Sequence, residues 1–372
     1  MSLHQTHTSF NQTQLIILTG CGGVGKTTVS ASFALSLAQK HTVALITIDP
    51  AKRLAQSLNL HTTTHGLQPV KAHPNLWAMM IDRVYSSHKL VERCAHSPQA
   101  AQQILENPFF KAFSHSLAGV QEYMAIYEVY SAIESKRFEY IVVDTPPAKH
   151  AIDFFDTPRK LQDALNNQAL QFVLQSIAKP NVKMQGIRQR FSRMGKSLFI
   201  KALSTMTADS FVEDLLQFIM IFSEVLKGLQ HSAQQLDLIL QNQHCHYMLI
   251  TTTEPSVVQA TLQLAHQLQT RHYNVQQVLI NRDRQHIYEP VLTQSLHLTI
   301  EDEPLRADLQ RIHQQIHKDF QQQQSMKDRL STLKIPTTIL PAQTVTLSPY
   351  ECIVNLVPHC QSSLQSIFTT LG

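Results

Sequence analysis

Short runs of aliphatic and β-branched residues recur along the chain between longer stretches of mixed character. There are seven such runs: QLIILTG (14–20), TVALITID (42–49), LWAMMID (76–82), YIVVD (140–144), HYMLITTT (246–253), VQQVLIN (275–281) and IPTTILP (335–341). Runs of this length, apolar on both faces, are typical of buried parallel strands. The pattern therefore predicts seven strands of one sheet.

The segment between the first two runs has helical spacing. In TTVSASFALSLAQK, Val29, Phe33 and Leu37 recur every fourth residue, which predicts a helix with one apolar side. Strand, helix and strand in succession favour right-handed crossovers on a doubly wound sheet. We therefore predict an α/β fold with a mainly parallel sheet of about seven or eight strands.

Two stretches, 83–139 and 151–245, interrupt this alternation and are rich in helix formers. No linker composition divides the chain, so we expect one domain over 1–372 with these stretches as helical elaboration within it. The most apolar part, SFVEDLLQFIMIFSEVLKGL (210–229), fits a core helix or a groove for an apolar client. The run 313–324 fits a polar helix or loop.

Composition restricts the class of protein only loosely. The formal charge is +4, and the five cysteines are scattered without a C-x-x-C pair, which favours a reducing compartment over a disulfide framework. The first residues are polar, and no apolar run approaches the ~20 residues that span a bilayer. We expect a cytoplasmic protein, at most peripheral to a membrane.

The stretch GCGGVGKTT, after the first strand and before the first helix, has the composition of a phosphate-binding loop. Its glycines allow backbone N–H groups to face phosphate oxygens, and the helix N-terminus adds positive charge. Lys26 is expected to bridge the outer phosphates, and the Thr27 hydroxyl to bind Mg²⁺. The predicted nucleotide-binding residues of this loop are Gly22, Gly23, Val24, Gly25, Lys26, Thr27 and Thr28.

Two predicted strands end in aspartate, Asp49 and Asp144. A carboxylate at the carboxyl end of a strand beside a phosphate site can activate water or help to hold Mg²⁺. Either residue alone could instead be a helix N-cap. Together with the loop they predict nucleoside-triphosphate hydrolysis, with Asp49 and Lys26 catalytic and with Thr27, Asp49 and Asp144 around the metal.

These motifs resemble the arsenite-pump (ArsA-type) ATPase family, whose members include ATPases that target tail-anchored membrane proteins. The resemblance rests on G-x-G-G-V-G-K-T-T, DPAKRL, AGVQEYMA (118–125), DTPPAKHAIDFF (144–155) and LINRD (279–283). The sequences DPAKRLAQSL and DTPP are most similar to uncharacterised bacterial members. The resemblance implies a P-loop NTPase fold with a variant Walker A sequence, and ATP and Mg²⁺ as ligands.

Carried over to this sequence, the family pattern implies that Asp49 begins one switch segment and Asp144 the other. Asn281 stands where family members recognise adenine, because a carboxamide supplies the donor and the acceptor that the adenine edge requires. A strand-ending loop asparagine is the alternative. ATP is favoured over GTP, since the usual guanine signature is missing.

Cys21 departs from the family pattern, in which a lysine reaches the partner's nucleotide across a dimer. Loss of such a cation can cost on the order of 10³-fold in rate. Three explanations stay open: Lys52 or Lys149 supplies the charge, a lysine-bearing paralogue supplies it in trans, or turnover is slow. A low-pKa, redox-sensitive thiol beside the helix N-terminus and Lys26 is a further alternative.

Other constellations indicate partners less directly. Cys352 and Cys360, and the histidine pairs 61/65, 244/246 and 313/317, fit packing better than metal binding. The stretch 164–208 lacks acidic residues and is basic over 179–201, which fits a solvated helix face, an anionic membrane or an acidic partner. No nucleic-acid-binding module accompanies it.

We therefore predict a magnesium-dependent ATPase that works as a homodimer or as a heterodimer with a paralogue. Its switches would couple nucleotide state to a helical region that binds a partner, with a membrane-protein client or a peripheral membrane contact as options. The alternative is a nucleotide-gated binding module with very slow or no hydrolysis.

Overall fold

The computed structural model describes residues 13–48, 54, 58, 65–107, 110–111, 120–166, 209–293, 303–343 and 346–369. Its strands are β1 (Gln14–Gly20), β2 (Val43–Thr47), β3 (Gln68–Val70), β4 (His73–Met80), β5 (Tyr140–Pro147), β6 (Cys245–Thr251), β7 (Val275–Asp283) and β8 (Thr337–Pro341). Its longer helices are α1 (Lys26–Ala38), α2 (Arg83–Cys94), α3 (Pro98–Glu106), α4 (Val120–Glu134), α5 (Ala148–Asn166), α6 (Asp209–Leu240), α7 (Pro255–Thr270), α8 (Gln285–Thr293), α9 (Glu303–Ser331) and α10 (Pro349–Thr369).

The eight strands form one sheet in the order β3-β4-β2-β5-β1-β6-β7-β8. Every neighbouring pair is parallel except β3 and β4, which are antiparallel. Each of the seven predicted runs overlaps one strand, and the predicted α/β fold with a mainly parallel sheet is confirmed. The eighth strand, β3, has only three residues and was not predicted, because QPV shows neither an aliphatic run nor alternation.

Helix α1 follows the first strand and is buried on almost its whole circumference. Only Thr27 and Thr28 among its thirteen residues are not buried. Its apolar residues Val29 and Phe33 share a core cluster with Ile353 of α10 and with strand residues of the sheet. Ser32 Oγ also donates a hydrogen bond to the Ile353 carbonyl over 2.9 Å. The helix that begins at the phosphate loop is thus fixed between the sheet and α10.

The chain divides into two compact units. The first contains Met1–Ile81, Ser131–Phe155 and Ile239–Gly372, and the second contains Asp82–Tyr130 and Asp156–Leu238. The first unit carries the whole sheet, and the second is helical in its described residues. The predicted elaborations 83–139 and 151–245 overlap the second unit. The expectation of a single domain stays a prediction.

Within the second unit, helices are joined by ion pairs and apolar packing. Lys89 Nζ lies 2.8 Å from Glu128 Oε2, and Arg159 Nε lies 3.1 Å from Asp237 Oδ1. In α6, Val225 and Leu229 are buried, whereas the side chains of 209–222 lie outside the described residues. The choice between a core helix and a client groove over 210–229 therefore stays open.

Two other expectations concern polar surface and membrane crossing. The polar run 313–324 lies inside α9 and is helical. Among the residues that the structure describes, no helix has both the length and the apolar character to cross a bilayer.

Candidate functional site

The phosphate loop connects β1 to α1 at the carboxyl edge of the sheet. Gly23 and Gly25 have φ angles of 79° and 89°, in the left-handed region that residues with a Cβ adopt only with strain. Gly25 is the N-cap of α1 and makes no side-chain cap bond. The first N–H groups of the helix are therefore directed into the loop, as anion binding requires.

The side chain of Thr27 meets the carboxylate of Asp144. Thr27 Oγ1 donates to Asp144 Oδ2 over 2.7 Å. Two more hydroxyls donate to the same carboxylate: Thr47 Oγ1 over 2.9 Å and Ser30 Oγ over 3.3 Å. Thr27 and Asp144, which the sequence predicts to lie around one metal ion, are therefore in direct contact. Three hydroxyls donate to the acid.

Asp144 is fully buried near the carboxyl end of β5. Burial raises the pKa of its carboxyl group, while hydrogen bonds from Thr27 and Thr47, the Lys26 charge and the Ser30 bond act in the opposite direction. Keeping a carboxylate in a protein interior is costly even when hydroxyls donate to it. Such an arrangement fits a group that is kept for binding rather than for stability.

Lys26 is 8% exposed, and its Nζ donates to the carbonyl oxygen of Cys21 over 3.0 Å. The ammonium therefore lies against the loop backbone. Its contact at position 21 is with the main chain, so it does not depend on which side chain that residue carries.

The Cys21 thiol turns towards α7. Its Sγ lies 4.0 Å from the Val257 carbonyl, and the side chain is partly buried. Burial raises the pKa of this thiol, and the charge of Lys26 and the hydroxyl of Thr261 oppose that rise. The alternative of a low-pKa thiol at Cys21 is therefore contradicted, because desolvation outweighs the nearby positive charge.

Asn281 lies near the end of β7, is 6% exposed, and contacts the loop. Its Nδ2 donates to the Val24 carbonyl over 2.8 Å. A Cβ on Gly25 would lie 2.5 Å from the same nitrogen. The predicted base-recognition residue is thus packed on the phosphate loop through its amide group.

Asp49 and Lys52 lie outside the described residues. The residue before Asp49 is described: the Ile48 amide donates to the Asp144 carbonyl over 3.0 Å. Lys149 is exposed in the first turn of α5. The roles predicted for these three polar residues, Asp49, Lys52 and Lys149, stay predictions.

The remaining expectations concern metals and the basic stretch. Among the described residues no cluster of three or more metal-ligating side chains occurs. Cys352 and Cys360 both lie in α10, with Cys360 buried. His244 and His246 are joined through Gln14 rather than by a shared site. The basic stretch 179–201 lies outside the described residues.

Sequence reasoning missed Ser30 and Thr47 as partners of Asp144. Ser30 is three residues after Thr27 in α1, so the two hydroxyls lie on one helix face. Thr47 pairs with Asp144 in the register of β2 and β5. The helical spacing was a usable signal for Ser30, whereas the contact of Thr47 required the strand register.

A glycine-rich loop between a central parallel strand and a buried helix, with a strand-end aspartate on its threonine, defines the P-loop NTPase fold. The family described as anion-transporting ATPase matches residues 13–332. The chain belongs to this family, and the resemblance inferred from its motifs is confirmed.

Individual relatives match over shorter stretches. ATPase GET3 of Malassezia globosa is 34% identical over 149 residues, 39% of this chain and 43% of that protein. ATPase get3 of Schizosaccharomyces pombe is 34% identical over 156 residues, 40% of this chain and 45% of that protein. An ATPase ASNA1 homolog of Babesia bovis is 28% identical over 185 residues, 50% and 47% of the two chains. The matched stretch thus spans less than half the length of each relative.

Proposed function

We propose that this protein binds ATP with Mg²⁺ and hydrolyses it. The observation that carries the proposal is the 2.7 Å contact between Thr27 Oγ1 and Asp144 Oδ2 at the head of α1. It joins the loop hydroxyl to a buried acid at the edge where phosphate-binding backbone amides converge. Membership of an ATPase family and relatives named as ATPases support the same conclusion.

The residues present fit a magnesium ion. Mg²⁺ prefers hard oxygen ligands and keeps several waters, and Thr27 and Asp144 offer a hydroxyl and a carboxylate at one point. Asp49 is proposed to complete this set. When bound, the ion supplies positive charge beside the phosphate oxygens.

The chain's own residues have separate roles in the proposal. Lys26 would leave the Cys21 carbonyl and pair with the outer phosphates, the loop amides would hold the phosphate oxygens, and Asp49 would orient the attacking water. Asn281 would face the adenine ring, since its carboxamide has both a donor and an acceptor.

Calorimetry and phosphate release test the proposal together. We expect ATP to bind in a magnesium-dependent manner and binding to be lost in Lys26→Met, since the ammonium is the chief cation of the loop. Turnover should fall in Asp49→Asn while ATP binding is kept. Wild-type protein that releases no heat with magnesium and ATP contradicts the proposal, and turnover unchanged in Asp49→Asn contradicts the role of that residue.

We also propose that nucleotide state is coupled to the helical unit, for a partner or client, within a dimer. Continuity of the chain supports this: β5 carries Asp144 and leads directly into α5, whose residues from Asp156 onward belong to the second unit. Hydrogen exchange with ATP and with ADP should then differ in α5 and α6. Light scattering with and without nucleotide tests the dimer, and equal exchange patterns contradict the coupling.

A nucleotide-gated module with very slow turnover is the second candidate. The orientation of Cys21 supports it, because the thiol packs towards Val257 and carries no cation. Cys21→Lys in the isolated chain separates the explanations. A rise in turnover supports a missing lysine that a paralogue normally supplies, and unchanged turnover supports the slow module.

A further inference from the structure

A buried polar network joins the end of β7 to α9. Lys327 Nζ lies 2.6 Å from Asp283 Oδ2, and only 12% and 3% of the two side chains are exposed. Gln323 Nε2 donates to the same carboxylate oxygen over 3.0 Å. Burial of both charges makes this pair unlike the exposed ion pairs of α9, which contribute little to any fixed geometry.

The same network holds the backbone that follows Asp283. Gln323 Oε1 accepts from the Arg284 amide over 3.3 Å, and Lys327 Nζ donates to Gln285 Oε1 over 2.8 Å. Asp283 Oδ1 accepts from the Gln285 amide over 2.9 Å. Two side chains of α9 therefore hold this bend, together with the Ala342 amide beyond β8, which donates to the Asp283 carbonyl over 2.8 Å.

The backbone before Asp283 needs such a restraint. Arg282 has a φ of 60°, in the left-handed region, where a residue with a Cβ is strained. The pairing of β7 with β8 shifts register between Ile280 and Asp283. Asn281 and Arg282 therefore lie in an irregularity between Ile280 and Asp283, both of which pair with β8. On the Asp283 side, the contacts with α9 add a second anchor to this pairing.

Asn281 lies between this bend and the phosphate loop. Its Nδ2 donates to the Val24 carbonyl and leaves no room for a side chain on Gly25. A small rotation of the backbone at Arg282 would move the carboxamide away from the loop. Asn281 thus lies two residues before the carboxylate that α9 contacts.

We propose that Asp283 and Lys327 are positioning residues for the base-binding end of the nucleotide site. Their ion pair holds the bend at Arg282 so that the Asn281 carboxamide is directed at the base of a purine nucleoside triphosphate. This inference rests on the proposed function, because it requires a nucleotide at the loop. It predicts that the pair sets the preference between bases, whereas the loop and Lys26 set the affinity for phosphates.

The experiment measures dissociation constants of Mg-ATP and Mg-GTP by calorimetry for the full chain and three variants. Lys327→Met breaks the pair, and Asp283→Asn combined with Lys327→Met removes both charges, so that no buried charge is left alone if the single variant fails to fold. Arg311→Met is the matched control, because Arg311 pairs with Asp308 at an exposed site on the same helix. Circular dichroism checks that each variant is folded.

We expect wild type to prefer ATP, and the preference to fall by about tenfold in the double variant and not in Arg311→Met. Parallel weakening of both nucleotides, or an unchanged ratio in the folded double variant, overturns the inference and identifies the pair as structural. Equal binding of both bases by wild type overturns it as well, while leaving nucleotide binding intact. Failure of wild type to bind either nucleotide removes the proposed function itself.

Discussion

Two buried polar clusters lie at opposite ends of the central strands and differ in kind. At the carboxyl ends, Asp144 is an ionisable group that accepts hydrogen bonds from three hydroxyls. At the amino ends, His246 Nε2 lies 2.9 Å from Gln14 Oε1, and Gln14 Nε2 lies 3.0 Å from His244 Nδ1. Gln14 Oε1 can only accept, so the His246 Nε2 carries a proton, and the chain of bonds needs no net charge.

We infer from this difference that the polar groups around Asp144 are kept for ligand binding, whereas those of the histidine cluster are kept for stability. In the histidine cluster neutral groups bond to one another, although the buried His246 Nδ1 has no partner among the described residues. The aspartate cluster keeps an acid where burial raises the acid's pKa, at a cost that folding alone does not justify. A charge that weakens the ligand-free protein is expected where a ligand later uses that charge.

Substitution of Asp144 by Asn gives the largest expected effect and the sharpest test of this contrast. Turnover should fall on the order of 10³-fold, because a strand-end carboxylate is lost from the metal set. Thermal stability without nucleotide should be equal or higher, since burial raises the pKa of Asp144 and so disfavours its ionised form in the folded state, whereas the amide carries no charge. Phosphate release and calorimetric unfolding measure the two effects. A large fall in the unfolding temperature contradicts the view that Asp144 is kept for binding rather than for stability.

For the histidine cluster at the amino ends of the strands, we expect the stability of the fold to depend on pH. Burial, aided by the charge of His244, lowers the pKa of His246 to about 4, against an ordinary value of about 6.5. The neutral form is therefore favoured in the folded state, so stability is full above pH 6.5 and is lost as pH falls towards 4. The loss attributable to His246 amounts to about 3 kcal/mol.

Denaturant unfolding at several pH values measures this dependence. His246→Gln should remove the His246 part of the slope while keeping a donor for Gln14. The exposed His266→Gln is the control and should retain the wild-type slope. If His246→Gln leaves the slope unchanged, the cluster does not have the role assigned to it here.

These contrasts also show what sequence could predict. Seven strands were predicted because each is an aliphatic run, and Lys26, Thr27 and Asp144 were predicted because loop and strand-end motifs are local. Lys327 and Asp283 are far apart in sequence, so their pairing depends on how α9 packs, which no local pattern encodes. The bonds of His244 and His246 to Gln14 have no local signature either, because Gln14 is distant in the chain.

Two glycine substitutions test the contact between Asn281 and the phosphate loop. Gly23→Ala and Gly25→Ala both place a Cβ at positive φ, but only Gly25 has a neighbour, Asn281 Nδ2 at 2.5 Å. Strain alone should cost each variant roughly 1–3 kcal/mol of stability. ATP binding should weaken about tenfold more in Gly25→Ala, as calorimetry would show. Equal losses in the two variants would mean that the Asn281 contact is unimportant for binding.

The smallest effect is expected at Cys21. Because Lys26 contacts the carbonyl oxygen there, Cys21→Ser should change ATP affinity by less than about threefold. Cys360→Ser in α10 is a useful comparison, since this thiol is buried and is not among the residues proposed to bind the nucleotide, so its loss should lower stability without changing affinity. A large loss of affinity in Cys21→Ser would assign the thiol a direct part in binding.

The burial of α1 has a consequence for movement. With only Thr27 and Thr28 left unburied, the helix has almost no free surface on which to slide or tilt, and any rotation would displace core residues of α10. The phosphate-binding end of the site is therefore expected to be rigid. If the protein binds and releases ATP as proposed, we expect changes of shape in the segments that follow β2 and β5 rather than in α1.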